Sequence, residues 1–286
     1  MNVSYNVEDP EGQVPSRRQA SSGHPTLSAS GSSGPLPIIL IHGFAEDGSI
    51  WGNQADYLRN NHRLLIPDLP GCGKSAPLTG PTSMEELAET IKAILDAENI
   101  KICIMIGHSM GGYIALAFAE KYPGRIKALG LFHSTAYPDT EEKSAARRKS
   151  IDFIRRNGSA AFIKQSTPNL FAESSRKEHP ELISTMIERY ADFNPDSLVA
   201  YYEAMIRRPD RTSVLENFTG PVLFIIGERD NAVPLEQSLR QAHMPGLSFI
   251  HILENAGHAG MLEESASSSR IIDEFTQFYN IYHSLS

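Results

Sequence analysis

The strongest constraint on the fold is the glycine-rich segment Gly-His-Ser-Met-Gly-Gly at residues 107–112. It follows an apolar run at 102–106 that is typical of a buried strand, and it opens a helical pattern that stops before Pro123. A strand that turns this sharply into a helix forces Ser109 into a strained backbone conformation, so its neighbours must have almost no side chain. The start of the helix also directs backbone N–H groups toward the serine hydroxyl. We therefore predict that Ser109 is a nucleophile at a strand-to-helix turn.

The rest of the chain alternates between short apolar runs and amphipathic helical patterns. The other apolar runs typical of buried strands lie at residues 38–41, 63–66, 128–132, 222–226 and 249–253. The clearest helical patterns span 83–98, 110–121 and 267–283, and the first begins with a capping box at Ser83 and Glu86. Alternating strands and helices predict an α/β fold with a doubly wound, mostly parallel sheet.

Two segments depart from this alternation. Residues 136–217 contain no strand-like run and show three or four helical patterns, so we predict a helical cap inserted into a core formed by 37–135 and 218–286. The start of the chain, 1–36, is predicted to be flexible or irregular, because residues 8–34 are rich in Ser, Gly and Pro. Within it, the alternation of Val3, Tyr5 and Val7 favours a short edge strand.

A serine nucleophile needs a base that accepts its proton. His258 follows the final strand run and lies among small residues that would let it reach Ser109, so we predict it to be the general base. His108 adjoins the serine, but its side chain is expected to point away from the serine's, and His42 is expected to brace the loop after the first buried strand.

The histidine in turn needs a carboxylate that fixes its tautomer. Asp230 stands where the strand run at 222–226 has just ended, and the chain order Ser, Asp, His is the one typical of this arrangement. Glu228 and Asp139 are the two alternatives. Glu228 is expected to face solvent or to pair with Arg229.

A tetrahedral oxyanion requires preorganised hydrogen-bond donors. We predict the backbone N–H groups of Met110 and Phe44 as these donors, with Gly43 letting the backbone approach the substrate. Trp51, Gly43 and His108 are predicted to line the substrate pocket, as is the side chain of Met110.

Composition excludes several other classes of function. The formal net charge of −8 disfavours nucleic acid or anionic membrane as the main partner, and the basic cluster at 147–149 is predicted to be a solvated helix face. No export signal and no apolar run of membrane-spanning length is present, so a cytoplasmic location is expected. Residues 71–75 resemble the end of a phosphate-binding loop, but Asp68 occupies the position of its first glycine, which argues against nucleotide binding.

Taken together, these motifs resemble the α/β-hydrolase superfamily. The motifs are His42-Gly43-Phe44, the Asp-Leu-Pro-Gly-x-Gly-x-Ser segment at 68–75, residues 107–112, Gly227-x-x-Asp230 and Gly257-His258. The resemblance extends from about Pro37 to the C-terminus and is greatest to bacterial esterases and carbon–carbon bond hydrolases with a helical cap. The long Ser/Gly-rich segment before Pro37 departs from that pattern.

The resemblance implies hydrolysis through an acyl-enzyme, without a metal or organic cofactor. The leading hypothesis is a carboxylesterase that acts on small-molecule esters as a monomer or homodimer. A carbon–carbon or thioester hydrolase with the same residues is the second hypothesis, and a weakly catalytic ligand receptor on the same fold is the third. A serine at position 109 argues against haloalkane dehalogenases, which carry an aspartate there.

Overall fold

The computed structural model describes residues 2–10, 16–20 and 35–284, with side chains up to residue 280. The strands are β1 (Val3–Glu8), β2 (Ser16–Ala20), β3 (Ile38–Ile41), β4 (Leu64–Pro67), β5 (Cys103–His108), β6 (Ile126–Phe132), β7 (Val222–Gly227) and β8 (Ser248–Leu253). The α-helices are α1 (Gly52–Leu58), α2 (Met84–Ala97), α3 (Met110–Lys121), α4 (Glu141–Ser166), α5 (Glu173–Glu178), α6 (Pro180–Tyr190), α7 (Pro195–Arg207), α8 (Thr212–Asn217), α9 (Leu235–Ala242), α10 (Gly260–Glu263) and α11 (Ser265–Ser284).

The strands form one eight-stranded sheet in the order β2-β1-β4-β3-β5-β6-β7-β8. Strands β3 to β8 run parallel, and β1 is antiparallel to both of its neighbours. The predicted α/β class with a doubly wound, mostly parallel sheet is confirmed. The central strands β3, β5, β6 and β7 are almost wholly buried, which explains why they read as continuous apolar runs.

The N-terminal prediction is wrong at two strands. Strand β1 was expected at the edge of the sheet, but it lies between β2 and β4, and β2 falls inside the segment expected to be irregular. Strand β2 carries no apolar alternation, because an edge strand can be held by backbone pairing while its side chains stay exposed. Its Arg17 and Arg18 bond to Asp68 and Glu98. The remainder of the predicted linker, 11–15 and 21–34, lies outside the described residues.

Strand β8 also differs from its prediction. Its apolar sequence favours a strand buried on both faces, yet Ile250 and Ile252 are 46% and 43% exposed. The reason is its place at the edge of the sheet, where only β7 pairs with it. Apolar content alone does not distinguish an edge strand from a central one.

The segment between β6 and β7 contains five of the helices, α4 to α8, and no strand. Helix α4 combines two of the predicted helices across a kink at Gly158, whose φ of 80° and ψ of 173° only glycine adopts readily. Helices α6 and α7 begin at Pro180 and Pro195, where a missing N–H costs nothing. Among the described residues, no helix is both long enough and apolar enough to span a bilayer.

Candidate active site

Ser109 lies at the turn between β5 and α3 with φ 49° and ψ −113°, a strained conformation for a residue with a side chain. Both flanking glycines are required by close backbone contacts. A Cβ at Gly107 would lie 2.2 Å from the carbonyl carbon of Gly111, and a Cβ at Gly111 would lie 2.3 Å from the carbonyl oxygen of Ile41. The turn therefore has the geometry that the glycine spacing predicts.

The structure brings Ser109, His258 and Asp230 into one chain of hydrogen bonds. The distance from Ser109 Oγ to His258 Nε2 is 2.9 Å, and that from His258 Nδ1 to Asp230 Oδ2 is 2.8 Å. The other carboxylate oxygen of Asp230 accepts the backbone N–H groups of Ala232 and Val233 at 2.7 and 2.9 Å. The three side chains meet because β5, β7 and β8 are parallel and end at the same edge of the sheet. This arrangement can move a proton from the serine to the histidine while the carboxylate stays ionised.

The electrostatics favour Asp230 over both of its alternatives. Burial acts to raise the pKa of Asp230, but the charge and hydrogen bond of His258 outweigh burial and lower that pKa to about 2. Glu228 is exposed and lies 3.6 Å from Arg229. The carboxylate of Asp139 is occupied by Arg147 and Arg208. Of the three acids, only Asp230 contacts His258.

A second buried histidine, His133, lies beside this carboxylate and carries no charge. Its Nδ1 accepts the backbone N–H of Gly227 at 2.9 Å and lies 3.5 Å from Asp230 Oδ2. Burial lowers the pKa of His133 to about 3, so the ring is neutral near pH 7. His258 is therefore the one histidine of the two that can balance the charge of Asp230.

The loop that carries His258 is held by the segment between α4 and α5. The backbone N–H groups of His258 and Ala259 donate to the carbonyl oxygen of Leu170 at 2.6 and 3.2 Å. Glu263 accepts the N–H groups of Gly257 and Ala172 at 2.8 and 2.7 Å. The helical insertion thus contacts the histidine loop directly.

Met110 follows Ser109 directly, and Phe44 lines the same cavity as Ser109. Met110 is the first residue of α3, and a helix offers no acceptor to its first N–H groups. Phe44 lies in the loop after β3, and its N–H donates to no acceptor in the described part of the chain. These are the two groups predicted as oxyanion donors, and β3 pairs with β5 so that Ile41 lies opposite Gly107.

The loop after β3 is held by a buried ion pair, Glu46 with His108. Glu46 Oε2 lies 3.0 Å from His108 Nδ1 and accepts the N–H of Gly43 at 2.8 Å. The other ring nitrogen, His108 Nε2, lies 2.9 Å from the carbonyl oxygen of His258. Both partners are acceptors, so both ring nitrogens donate and the ring is an imidazolium.

The pKa shifts of this pair agree with that protonation state. Burial acts against both charges, but the pair's attraction and hydrogen bond prevail, so the pKa of His108 is raised and that of Glu46 is lowered. The pair connects the loop of Phe44 to the backbone of His258. Its role was not apparent from the sequence, where Glu46 is one acid among many.

Glu46→Gln is expected to lower the free energy of unfolding by about 3–5 kcal/mol at pH 6, because it leaves a buried imidazolium unpaired or deprives the His258 carbonyl of its donor. The effect should be largest between the ordinary pKa values of 4.5 for Glu and 6.5 for His. It should shrink as the pH falls through the lowered pKa of Glu46 or rises through the raised pKa of His108. Urea unfolding as a function of pH measures it.

The matched control is Glu141→Gln, which removes an acid whose side chain is 85% exposed and pairs with Arg148. Its expected effect is under about 1 kcal/mol. Equal effects of the two substitutions on the free energy of unfolding would show that the buried pair contributes no more to stability than an exposed one.

A cavity of about 160 Å³ opens above Ser109 between the sheet and the insertion. Its walls include Phe44, His108 and His258 from the core, and Phe162, Ile163, Met186 and Met205 from the insertion. Trp51 and Gly43 do not line it, which corrects two of the predicted pocket residues. The side chain of Met110 is likewise buried and absent from its walls.

Both corrections have a packing reason. Trp51 is fully buried in the core, edge-on to Phe132 with ring centroids 5.5 Å apart. A Cβ at Gly43 would lie 2.7 Å from His108 Nδ1, so this glycine makes room for the buried ion pair rather than for a substrate.

Two cations, Lys143 and Arg147, also line the cavity. Sequence reasoning missed Lys143, and it could not place Arg147 over Ser109. The prediction of a solvated helix face at 147–149 is wrong at Arg147, whose side chain is only 14% exposed and bonds to Asp139. Their spacing of four residues places both cations on one face of α4. That spacing is visible in the sequence, but the direction of the face is not.

The segment that resembles a phosphate-binding loop is filled by a carboxylate. Asp68 accepts the backbone N–H groups of Lys74 and Gly48 at 2.9 and 3.0 Å. A Cβ at Gly73 would lie 2.4 Å from Asp68 Oδ2. Asp68 therefore takes the position that a phosphate would need. No cluster of three or more metal-ligating side chains occurs within the described ranges.

Comparison with known protein families identifies the family of this chain. Residues 38–267 match the model of the alpha/beta hydrolase family. The chain belongs to that family. The match extends from the first parallel strand, β3, into α11. It includes Ser109, Asp230 and His258.

Relatives of this hydrolase include enzymes that are named for different activities. A 2-hydroxy-6-oxononadienedioate/2-hydroxy-6-oxononatrienedioate hydrolase from Cupriavidus pinatubonensis is 27% identical over 85% of this chain and 87% of its own length. A thermophilic esterase from Thermogutta terrifontis, solved with malate bound, is 28% identical with a TM-score of 0.83, covering 96% of this chain and 99% of that one. An enol-lactonase from Burkholderia xenovorans, 20% identical with a TM-score of 0.81 over 96% of both chains, shares the fold.

Proposed function

We propose that this hydrolase cleaves small carboxylic esters through an acyl-enzyme formed on Ser109. The observation that carries the proposal is the unbroken chain of hydrogen bonds from Asp230 through His258 to Ser109 Oγ. It ends at a small cavity that Phe44 lines, next to the start of α3 at Met110, and from these two residues we infer the backbone donors that acyl transfer requires.

In the first half of the reaction, Ser109 Oγ attacks the ester carbonyl carbon and its proton passes to His258 Nε2. The carbonyl oxygen becomes an oxyanion, which the N–H groups of Met110 and Phe44 bind. Asp230 stabilises the imidazolium that forms. The bond from carbon to the alcohol oxygen then breaks, and His258 returns its proton to that oxygen.

In the second half, a water molecule replaces the alcohol. His258 takes a proton from the water, whose oxygen attacks the acyl carbon, and the same two N–H groups bind the second oxyanion. The bond to Ser109 Oγ breaks with return of the proton to that oxygen, which releases the carboxylic acid. The chain's own residues supply every proton transfer.

Carbon–carbon bond hydrolysis is the second candidate. It is favoured by the relative from Cupriavidus pinatubonensis, which is named as a hydrolase of a dienedioate. The esterase relative is comparably similar, at 28% identity over nearly the whole of both chains. Ester cleavage ranks first because it needs no group beyond those already described at Ser109.

Turnover of p-nitrophenyl acetate and butyrate tests the proposal. We expect release of p-nitrophenol with saturation, and loss of turnover after treatment with a fluorophosphonate. A protein that binds such esters without turning them over would be a receptor. Turnover of a 2-hydroxy-6-oxo-dienoate without turnover of either ester would assign carbon–carbon cleavage instead.

The cap helices are expected to control acyl-chain preference. Met186 lines the cavity, so Met186→Ala should enlarge it and shift the ratio of kcat/KM for hexanoate over acetate esters about tenfold toward hexanoate. Tyr190, one helical turn further along α6, is buried but does not line the cavity, and its hydroxyl lies 3.4 Å from Asp47.

Tyr190→Ala is therefore the matched control, and it should lower thermal stability while leaving that ratio unchanged. Kinetics on a series of p-nitrophenyl esters measures both variants. If both substitutions changed only thermal stability, the insertion would not form part of the acyl pocket.

A further inference from the structure

The wall of the cavity above Ser109 is positively charged, although the chain as a whole carries a formal charge of −8. Lys143 and Arg147, four residues apart on α4, both line it. The Lys143 ammonium donates to the carbonyl oxygen of Ala232 at 2.7 Å, and Arg147 bonds to Asp139. Cations in a small cavity lose hydration, so they are costly unless an anion balances them.

The carboxylates around the cavity do not balance these cations. Asp139 is shared between Arg147, at 2.6 Å, and Arg208, at 2.8 Å. Glu46 and Asp230 are already paired with His108 and His258. No carboxylate among the described residues forms a salt bridge with Lys143. The single carboxylate of Asp139 is therefore outnumbered by the cations Lys143, Arg147 and Arg208, so this wall carries excess positive charge.

The same cations also affect the pKa of Tyr113. It lies in the cavity wall, fully buried, with the Arg208 guanidinium 3.9 Å from its ring centroid. Burial by itself raises the pKa of its phenol. The cations Arg208, Lys143 and Arg147 outweigh burial, and the net result is a pKa below the ordinary value.

We propose that Lys143 and Arg147 form a carboxylate-binding subsite, and that the carbonyl compound attacked by Ser109 carries a carboxylate a few carbons from the reacting carbonyl. This inference rests on the proposed function and narrows it to hemi-esters of small dicarboxylic acids. A carboxylate supplies the missing negative charge and accepts hydrogen bonds from both an ammonium and a guanidinium. The cavity's volume of about 160 Å³ suits a short chain, since pockets for drug-sized ligands run from roughly 300 Å³ upward.

A purely structural role for Lys143 makes a different prediction. Lys143 donates to the carbonyl oxygen of Ala232, and the N–H of the same residue donates to Asp230. Lys143 could therefore act only by holding this loop in place. If Lys143 only held that loop, its removal would impair turnover of charged and neutral esters equally. A subsite instead requires that the loss depend on the charge of the substrate.

Two substrates of equal size separate these roles: monomethyl succinate, which carries a carboxylate, and methyl succinamate, which carries a neutral amide in its place. We expect the wild-type kcat/KM to be about 10- to 100-fold higher for monomethyl succinate, because the carboxylate makes charged hydrogen bonds in a desolvated site. Lys143→Met should remove most of this preference, and Lys143→Arg should retain it. Hydrolysis is followed in a pH-stat.

The matched control is Lys149→Met, which removes an exposed lysine from the same helix and should leave the preference unchanged. Equal wild-type rates on the two esters would overturn the subsite. So would a Lys143→Met variant that is impaired equally on both.

Binding of succinate to the Ser109→Ala variant, measured by calorimetry, tests the subsite without turnover. We expect binding that weakens about tenfold or more when Lys143→Met is added. If neither the p-nitrophenyl esters nor monomethyl succinate is hydrolysed but succinate binds in this Lys143-dependent way, the proposed esterase function fails and the subsite stands. Absence of binding, or binding indifferent to Lys143→Met, overturns the subsite.

Discussion

Ser109→Ala is expected to lower kcat for p-nitrophenyl butyrate about a million-fold and to abolish labelling by a fluorophosphonate probe. The hydroxyl removed is the one that lies 2.9 Å from His258 Nε2, and no acyl-enzyme can form without it. The smaller side chain also fits the strained turn at φ 49°, so the fold should persist. Steady-state kinetics and gel-based labelling measure the loss, and circular dichroism verifies the fold.

The matched control is Ser134→Ala, at a buried serine whose hydroxyl donates to the carbonyl oxygen of Ser109 at 2.7 Å. This variant should still be labelled, because the nucleophile and its base remain. Undiminished labelling of Ser109→Ala would remove Ser109 from the mechanism. Loss of labelling in both variants would point to disruption of the turn instead.

Asp230→Asn is expected to reduce kcat roughly ten-thousand-fold. The amide can still occupy the space of the carboxylate, but it cannot stabilise the imidazolium and it favours the wrong tautomer of His258. Because Asp230 titrates with a pKa of about 2, it stays ionised throughout the neutral range. The wild-type rate should therefore not fall through protonation of this acid until the pH approaches that value.

Glu228→Gln is the control for this prediction, since Glu228 lies two residues away and contacts Arg229 rather than His258. It should change kcat by less than a factor of about three, as expected for an exposed acid whose pairing is weak. A large loss in Glu228→Gln together with near-normal turnover in Asp230→Asn would reassign the acid.

The positions of Ser109, Asp230 and His258 at three strand ends were predictable because each depends on local signals. Glycines at 107 and 111 mark a turn that only glycine permits, and apolar runs mark the parallel strands that precede each residue. Parallel strands end at one edge of the sheet, so residues far apart in sequence converge without further information. For the same reason, the α/β class followed from strand and helix order alone.

The strands at the margins of the sheet were harder to predict. Strand β2 has a polar sequence and forms because β1 offers it an open edge, while β8 has an apolar sequence and is left half exposed. Neither the formation of β2 nor the exposure of β8 can be predicted from the residues of the strand itself. Both depend on which neighbour the completed sheet provides.

The residues that line the cavity, and the charge of its wall, depend on the tertiary structure. Arg147 was predicted to lie on a solvated helix face, and only the docking of α4 over the sheet turns the side that carries Lys143 and Arg147 toward Ser109. Glu46 and His108 are 62 residues apart in sequence, and their pairing depends on β3 lying beside β5. Trp51 was predicted in the pocket but fills the core instead.

Local sequence therefore determined the turn at Ser109, the strand ends and the chain order of Ser109, Asp230 and His258, because backbone geometry and apolar periodicity act over a few residues. The tertiary structure decided which side chains face the cavity, because the direction of a helix face depends on how the whole helix packs. A shift of one residue along α4 rotates its side chains by about 100°. Such a rotation would carry Lys143 and Arg147 out of the cavity wall, and with them the positive charge from which we infer the substrate's carboxylate.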